Sequence, residues 1–299
     1  MDEGFTKLHR VTCILHEHLH SRMADLLAEA GVRQAYMEPG RTVRQFRTNR
    51  KFGLPGSIVR PAGAAVGVYR LHVPPSSSEA LVGKITDEFE LNHPGRGTIF
   101  VQEIKEYTAT PPERTHPQEN AAGIAVPLRN LALLTFILSM KDAGDALARV
   151  ALSLGTGVPT ITLGMGTGIR DRLGLLRITV SPEKQLLHLL VSSLDAEGII
   201  GLLVNEGRLD RPGRGFVFCS PVLYGHLDTR LRIGHQEYSA SMGQIITAID
   251  ELKAGTAWRR RFPGPPAKPS FTLQRNYVLI CLTVMEENTP AYVEAAMDK

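Results

Sequence analysis

Apolar residues along this chain alternate between a strand-like period of two and a helix-like period of 3.6, and they do so in the same order twice. In the first half, residues 11–15 form a short β-rich run. Leu19, Met23, Leu26, Leu27 and Ala30 then recur at helical spacing, with Gly31 placed as the cap. Residues 34–37 and 66–73 predict two further strands. Pro74-Pro75 stops the second of these and opens a helix marked by Leu81, Ile85 and Phe89. Residues 98–104 predict a fourth strand. The second half predicts a strand at 133–138, a helix carrying Leu147, Val150, Ala151 and Leu154, strands at 160–163 and 173–180, a helix carrying Leu187, Leu190, Val191 and Leu194, and a strand at 216–219. Each half reads β-α-β-β-α-β. The fold class is therefore α+β: tandem ferredoxin-like units, antiparallel sheets with helices on one face. That fold hosts many activities and names none.

Direct sequence repeats support the doubling. Pro-Gly-Arg-Gly-x-(Ile/Val)-Phe occurs at 94–100 and again at 212–218. Thr12-Cys13-Ile14-Leu15 matches Thr135-Phe136-Ile137-Leu138, Gly31-Val32 and Gly40 match Gly157-Val158 and Gly166, and Arg70-Leu71-His72-Val73 matches Arg177-Ile178-Thr179-Val180. The last match predicts a shorter loop and a longer second helix region in the second half. The reading divides the chain into unit 1 (1–107, with a long loop at 41–64), a proline-rich linker (108–130), unit 2 (131–235, with a short loop), an added helix and proline-rich linker (236–270), and the start of a third unit (271–299). That third start rests on the apolar run 278–282, Glu286-Glu287-Asn288 and a helix-like 292–297.

The chain has 299 residues, of which 43% are hydrophobic and 21% charged, as expected of a globular protein with room for two or three cores. A net charge of +4 is too mild to indicate nucleic acid and suits an anionic small molecule. Cys13, Cys219 and Cys281 lie in apolar runs without metal spacing and are expected to be buried free thiols in a reducing compartment. No apolar stretch reaches about 18 residues. Residues 1–10 lack an apolar signal core, which points to a cytoplasmic protein. His16, His18 and His20 read as solvated helix-start residues, with no second cluster to complete a metal site. No nucleophile–base or paired-carboxylate set stands out, so the chain is not expected to be an enzyme, and no tightly bound cofactor is expected.

The candidate chemistry lies in the glycine turns. Gly95-Arg96-Gly97 and Gly213-Arg214-Gly215 join a helix end to a strand start. Backbone N–H groups in such a turn can surround an anion, with the arginine adding a charge-assisted contact. The competing reading is a tight turn that needs positive φ, with its arginine in solvent. Gly164-Met165-Gly166-Thr167-Gly168 imitates a dinucleotide fingerprint but lies between two strands, so the Rossmann reading fails, and a phosphate-approaching loop or a bare hairpin remains. The long loop carries Arg41, Arg44, Arg47, Arg50, Lys51 and Arg60 and reads as a partner-docking segment. An RNA-recognition module shares the element order, and Arg214-Gly215-Phe216-Val217-Phe218 imitates its aromatic motif, but on the wrong strand. No nucleic-acid partner is expected.

With these residues in hand, the chain resembles the P-II nitrogen-regulatory superfamily, specifically its tandem P-II-like members. The resemblance covers about two thirds of the sequence. It is carried by the βαββαβ order, Gly164-Met165-Gly166 after the second strand, Pro182-Glu183-Lys184 read as a helix start, and the Pro-Gly-x-Gly-x-(Ile/Val)-Phe turns. It implies a trimer, or a pseudo-trimer within one polypeptide, that takes an ATP-, ADP- or AMP-type effector in clefts between units, often together with 2-oxoglutarate. It further implies that the protruding loop regulates an enzyme or membrane transporter in nitrogen or carbon metabolism. By the same resemblance Gly40, Arg41, Gly95, Arg96 and Gly97 line one site and Gly164, Met165, Gly166, Gly213, Arg214 and Gly215 another. Arg230 and Arg232 match the family's phosphate-binding Arg-x-Arg-x-Gly. The chain departs from the family in having Thr98 and Phe216 where a lysine is usual, arginine in place of aspartate in the turns, and no tyrosine in the 41–64 loop. The alternative is a structural or interaction trimer that has lost its ligand.

Overall fold

The computed structural model describes residues 5–32, 35–49, 57–93, 95–107, 127–140, 142–155, 157–166, 183–228, 249–253, 255 and 274–297, with the backbone alone at 44–49, 57–62, 286 and 297. The first half runs β1 (Thr6–His16), a 3-10 turn (Glu17–Leu19), α1 (His20–Glu29), β2 (Ala35–Asn49), β3 (Ser57–Val73), α2 (Pro75–Phe89) and β4 (Thr98–Glu106). The second runs β5 (Leu131–Leu138), α3 (Ala143–Leu154), β6 (Thr160–Met165), β7 (Glu183–Ser192), α4 (Ala196–Gly207), β8 (Gly215–Val222) and β9 (Tyr224–His226). The nine strands among the described residues form one antiparallel sheet ordered β8-β5-β7-β6-β2-β3-β1-β4-β9. The fold is α+β, and each half has the ferredoxin-like strand order.

The halves join twice. Edge strand β2 pairs with edge strand β6 through Gly40↔Thr162, Arg41↔Ile161 and Thr42↔Thr160. At the other side, β8 pairs with β5 while β9, separated from it only by Leu223, pairs with β4. Leu223 N–H donates to the Val101 carbonyl at 2.8 Å. One strand thus returns from one edge of the sheet to the other, and the sheet closes on itself. Each half has its own helix-side core, with Val11, Cys13, Leu71 and Ile99 under α1 and α2, and Leu134, Phe136, Leu187 and Leu189 under α3 and α4. The opposite faces of the same strands meet in a third core built from both halves: Ile14, Val66, Val68, Phe100, Leu131, Leu190 and Val222.

Several expectations need correction. Residues 41–49 and 57–64 of the expected loop are the two strands of a β-ribbon: β2 and β3 pair from Ala35↔Leu71 to Asn49↔Ser57. Backbone pairing, which side-chain periodicity does not register, holds it extended. The expected helix at Leu187, Leu190, Val191 and Leu194 is largely strand β7, and the helix is α4. A strand buried on both faces offers apolar residues at every spacing, so its pattern is also helical. Glu183 and Lys184 accordingly open a strand, not a helix, and the expected strand at 173–180 lies outside the described residues. Register places Val66 opposite Gly40 and Lys184 opposite Gly164, so the glycine equivalent to Gly40 is Gly164 and not Gly166. The short loop expected in the second half falls in 167–182, which also lie outside the described residues.

Only Cys13 is buried; Cys219 and Cys281 are exposed. Residues 277–285 pair with no strand among the described residues. They are followed by a 3-10 turn (Glu286–Asn288) and α5 (Thr289–Met297). Of the expected added helix only 249–253 is described.

Two histidines are enclosed as neutral rings. His188 lies between Thr135 Oγ1 at 3.3 Å and Thr162 Oγ1 at 3.2 Å. Desolvation, reinforced by Arg70 and Arg10 against the opposing charge of Glu38, pulls it down to about 4. His226 is buried, and desolvation alone brings it to about 4. A group with a depressed folded pKa stabilises the fold above its ordinary pKa and loses that contribution as pH falls through the folded value. Stability is therefore expected to drop between pH 6.5 and about 4, by on the order of 3 kcal/mol for His226. Thermal unfolding followed across this window checks it, and the double variant H188Q/H226Q should flatten the slope.

Candidate functional site

The two glycine turns have the same backbone. Gly95 and Gly213 have φ of 82° and 78°, and Gly97 and Gly215 have 149° and 142°. Each turn follows a helix whose C-cap residue is left-handed, Glu90 at 54° and Arg208 at 49°. Packing explains the second glycine of each pair. A Cβ on Gly97 would lie 2.5 Å from the Ile14 carbonyl oxygen, and one on Gly215 would lie 2.1 Å from that of Ile137. The turn lies directly against the backbone of the first strand, so these glycines are needed with or without a ligand.

The first turn already holds an acid group. Gly95 N–H donates to Asp228 Oδ1 at 2.6 Å, the Asp228 N–H donates to Thr98 Oγ1 at 3.1 Å, and Val158 N–H donates to the Asp228 carbonyl at 3.2 Å. Asp228 is 2% exposed and belongs to the second half, just beyond β9. This junction brings together the first turn, the loop entering β6 and the segment leaving β9. It lies at the end of the sheet from which the ribbon departs, because Ile14 faces Val68, and Val66 faces Gly40. One N–H of the turn, that of Gly95, is thus taken by the protein's own carboxyl group.

At the second turn Ser139 N–H donates to the Arg214 carbonyl at 3.0 Å, and the Arg214 guanidinium contacts Met140 Sδ. Among the described residues, the Gly213 N–H has no counterpart of Asp228. Arg96 is paired with Glu90 at the surface.

Gly40 and Arg41 lie at the β2–β6 seam. A Cβ on Gly40 would stand 3.1 Å from the Ile161 carbonyl, so glycine permits the close strand approach. Arg41 forks onto Asp145 of α3, with Nε 3.3 Å from Oδ1 and an Nη 2.8 Å from Oδ2, and it ties the halves together instead of pointing into a cleft. Gly164 sits in β6, Met165 is 79% exposed, and Gly166 follows the strand. Arg44 and Arg47 are on the ribbon, while Arg50, Lys51, Arg230 and Arg232 lie outside the described residues. His20 bonds Tyr69 Oη at 2.8 Å, and among the described residues no group could hold a metal ion. Sequence reasoning missed Asp228 and Asp145, because a lone aspartate in a loop or a first helical turn carries no pattern.

No family model and no curated protein matches the chain. Among solved structures, GlnK of B. subtilis overlaps at 14% identity over 33% of this chain and 86% of its own, with a TM-score of 0.26. Its ATP complex overlaps at 14% over 33% and 84%, also with a TM-score of 0.26. CPII from Thiomonas intermedia K12, bound to ADP and bicarbonate, overlaps at 22% over 35% and 92%, with a TM-score of 0.21. Overlap at this level carries no functional argument. No helix among the described residues is long and apolar enough to cross a membrane.

Asp228→Ala leaves the Gly95 N–H without its acceptor and is expected to cost about 1–3 kcal/mol. Urea unfolding measures this, and Asp228→Asn, which keeps an acceptor oxygen, should recover most of the loss.

Proposed function

We propose that this protein is a signal-transduction regulator of the P-II-like type. It senses an anionic metabolite, with adenine nucleotides foremost, at a glycine turn, and it regulates a partner enzyme or transporter through the ribbon formed by β2 and β3. The observation that carries this reading is the grip of the Gly95 N–H on the Asp228 carboxyl group at an inter-half junction. The same backbone conformation recurs at 213–215, where the N–H of Gly213 and the guanidinium of Arg214 are the groups an incoming phosphate or carboxylate would meet. The sites are thus unequal: the first turn is filled from within and the second takes the effector.

A second reading has its own support. Asp228 in the first turn is what a structural tandem would contain if an internal side chain had replaced the ligand, and such a protein would act by interaction alone.

Calorimetric and thermal-shift titration with ATP, ADP, AMP and cyclic nucleotides, with and without 2-oxoglutarate, separates the two. The regulator is expected to bind one effector per chain, with stabilisation rising to about 2.7 kcal/mol at a hundredfold excess over Kd. Arg214→Ala should weaken binding roughly ten- to a hundredfold, the range for a lost charge-assisted contact, while Arg96→Ala leaves it unchanged. Silence toward every compound favours the structural tandem, and full binding by Arg214→Ala refutes the arginine's role.

A further inference from the structure

Residues 275–297 repeat the opening of the second half in sequence pattern, in one backbone dihedral and in the spacing to the following helix. Arg129-Asn130 precedes β5, and Arg275-Asn276 precedes the apolar run from Tyr277 to Met285. Both asparagines are left-handed, with φ of 60° and 67°, two of five non-glycine residues in that region among those described. From each asparagine to the first residue of the following helix, Ala143 or Thr289, the spacing is the same thirteen residues. The two copies meet different surroundings. β5 is a central strand covered on both faces, whereas Val278 is 84% exposed, Ile280 78% and Leu282 62%. Runs that are apolar on both faces belong inside a sheet, and leaving one in water invites pairing with another strand.

The symmetry of the fold identifies the partner. In each half the two central strands are antiparallel neighbours, and each leads directly into a helix on the same face. Thr135 of β5 stands opposite His188 of β7, and each lies eight residues before its helix, at Ala143 and Ala196. A strand–helix element pairing with a second copy of itself in this register recreates the centre of a ferredoxin-like unit. The residue eight before Thr289 is Cys281, so Cys281 falls on the two-fold axis, opposite its own copy. The same register sets Arg275 against Glu287 of the second copy, and Glu287 against its Arg275, so the charges at the two ends are complementary. Within one chain, among the described residues, Arg275 pairs at the surface with Glu197, 2.9 Å away, and an Nη of Arg10 lies 3.9 Å from Cys281 Sγ; both are exposed contacts that can be exchanged at little cost.

We propose that residues 275–297 form a two-fold docking element through which two copies of this chain associate, each contributing one central strand and one covering helix to a shared unit. Val278, Ile280 and Leu282 are the apolar anchors, and Cys281 marks the axis. This does not depend on the glycine turns binding an effector.

Light scattering on the reduced full chain should give the mass of a dimer, and V278D/I280D should give half that mass with the far-UV spectrum and unfolding midpoint of the closed sheet retained. Directly opposed strand cysteines stand within disulfide reach. Diamide should therefore take one electron and one proton from each Cys281 thiol, forming the S–S bond while its azo group is reduced to the hydrazine. The covalent dimer should be lost in C281S and kept in C219S. A full chain that is monomeric or trimeric, a dimer that survives V278D/I280D, or a cross-link that follows Cys219 overturns the proposal. Should the double aspartate variant fail to fold, the cysteine pair decides alone.

Discussion

The closure of the sheet on itself is the constraint from which the rest of this structure follows. A single strand, broken only at Leu223, hydrogen-bonds to β5 before the break and to β4 after it. Because both edges of the sheet are stitched to the same strand, the strand faces turned away from the helices have nowhere to go but inward. Residues of both halves fill that space: Ile14, Val66, Val68 and Phe100 from the first, and Leu131, Leu190 and Val222 from the second. Burial at roughly 25 cal/mol per Å2 of apolar area then makes the two halves depend on one another. The same closure carries the chain past the first glycine turn and leaves Asp228 against Gly95. The junction that looks most like a ligand site is thus a by-product of how the sheet is sealed.

Comparison of the two turns separates what glycine does for packing from what it does for chemistry. Gly97 and Gly215 are fixed by the nearness of the Ile14 and Ile137 carbonyls, an argument that needs no ligand. Gly95 and Gly213 have equivalent backbones, yet one N–H is engaged by a carboxyl group and the other is not engaged among the described residues. A repeat at the level of sequence is therefore a repeat of backbone geometry, and the electrostatic surroundings decide whether each copy can accept something from outside. Arg41 makes the same point in reverse. It looked like a ligand contact because it follows Gly40, and its partner is Asp145 across the β2–β6 seam.

Much of the architecture was legible in the sequence. The β-α-β-β-α-β order, both glycine turns and the amphipathic helices α1, α2 and α3 follow from period and punctuation. The second half was misread from β7 onward, because Leu186-Leu187-His188-Leu189-Leu190-Val191 carries apolar residues on both faces and so satisfies a strand and a helix equally. The ribbon was read as a loop because its evidence is main-chain pairing, which leaves no trace in side-chain periodicity. Within the candidate site, the glycines were readable and their partners were not. Asp228 and Asp145 matter through positions that only the closed sheet and the seam create.

The returning strand also bears on how the two halves are attached. Between Tyr107 and Pro127 they share a covalent connection, but the contacts that hold them together are the β2–β6 ladder, the β4–β9 ladder and the common inner layer. A cut in that connecting stretch would leave every one of these in place. The two fragments would remain clasped, much as a nicked enzyme keeps its shape, and two separately synthesised halves would have the surfaces needed to reassemble.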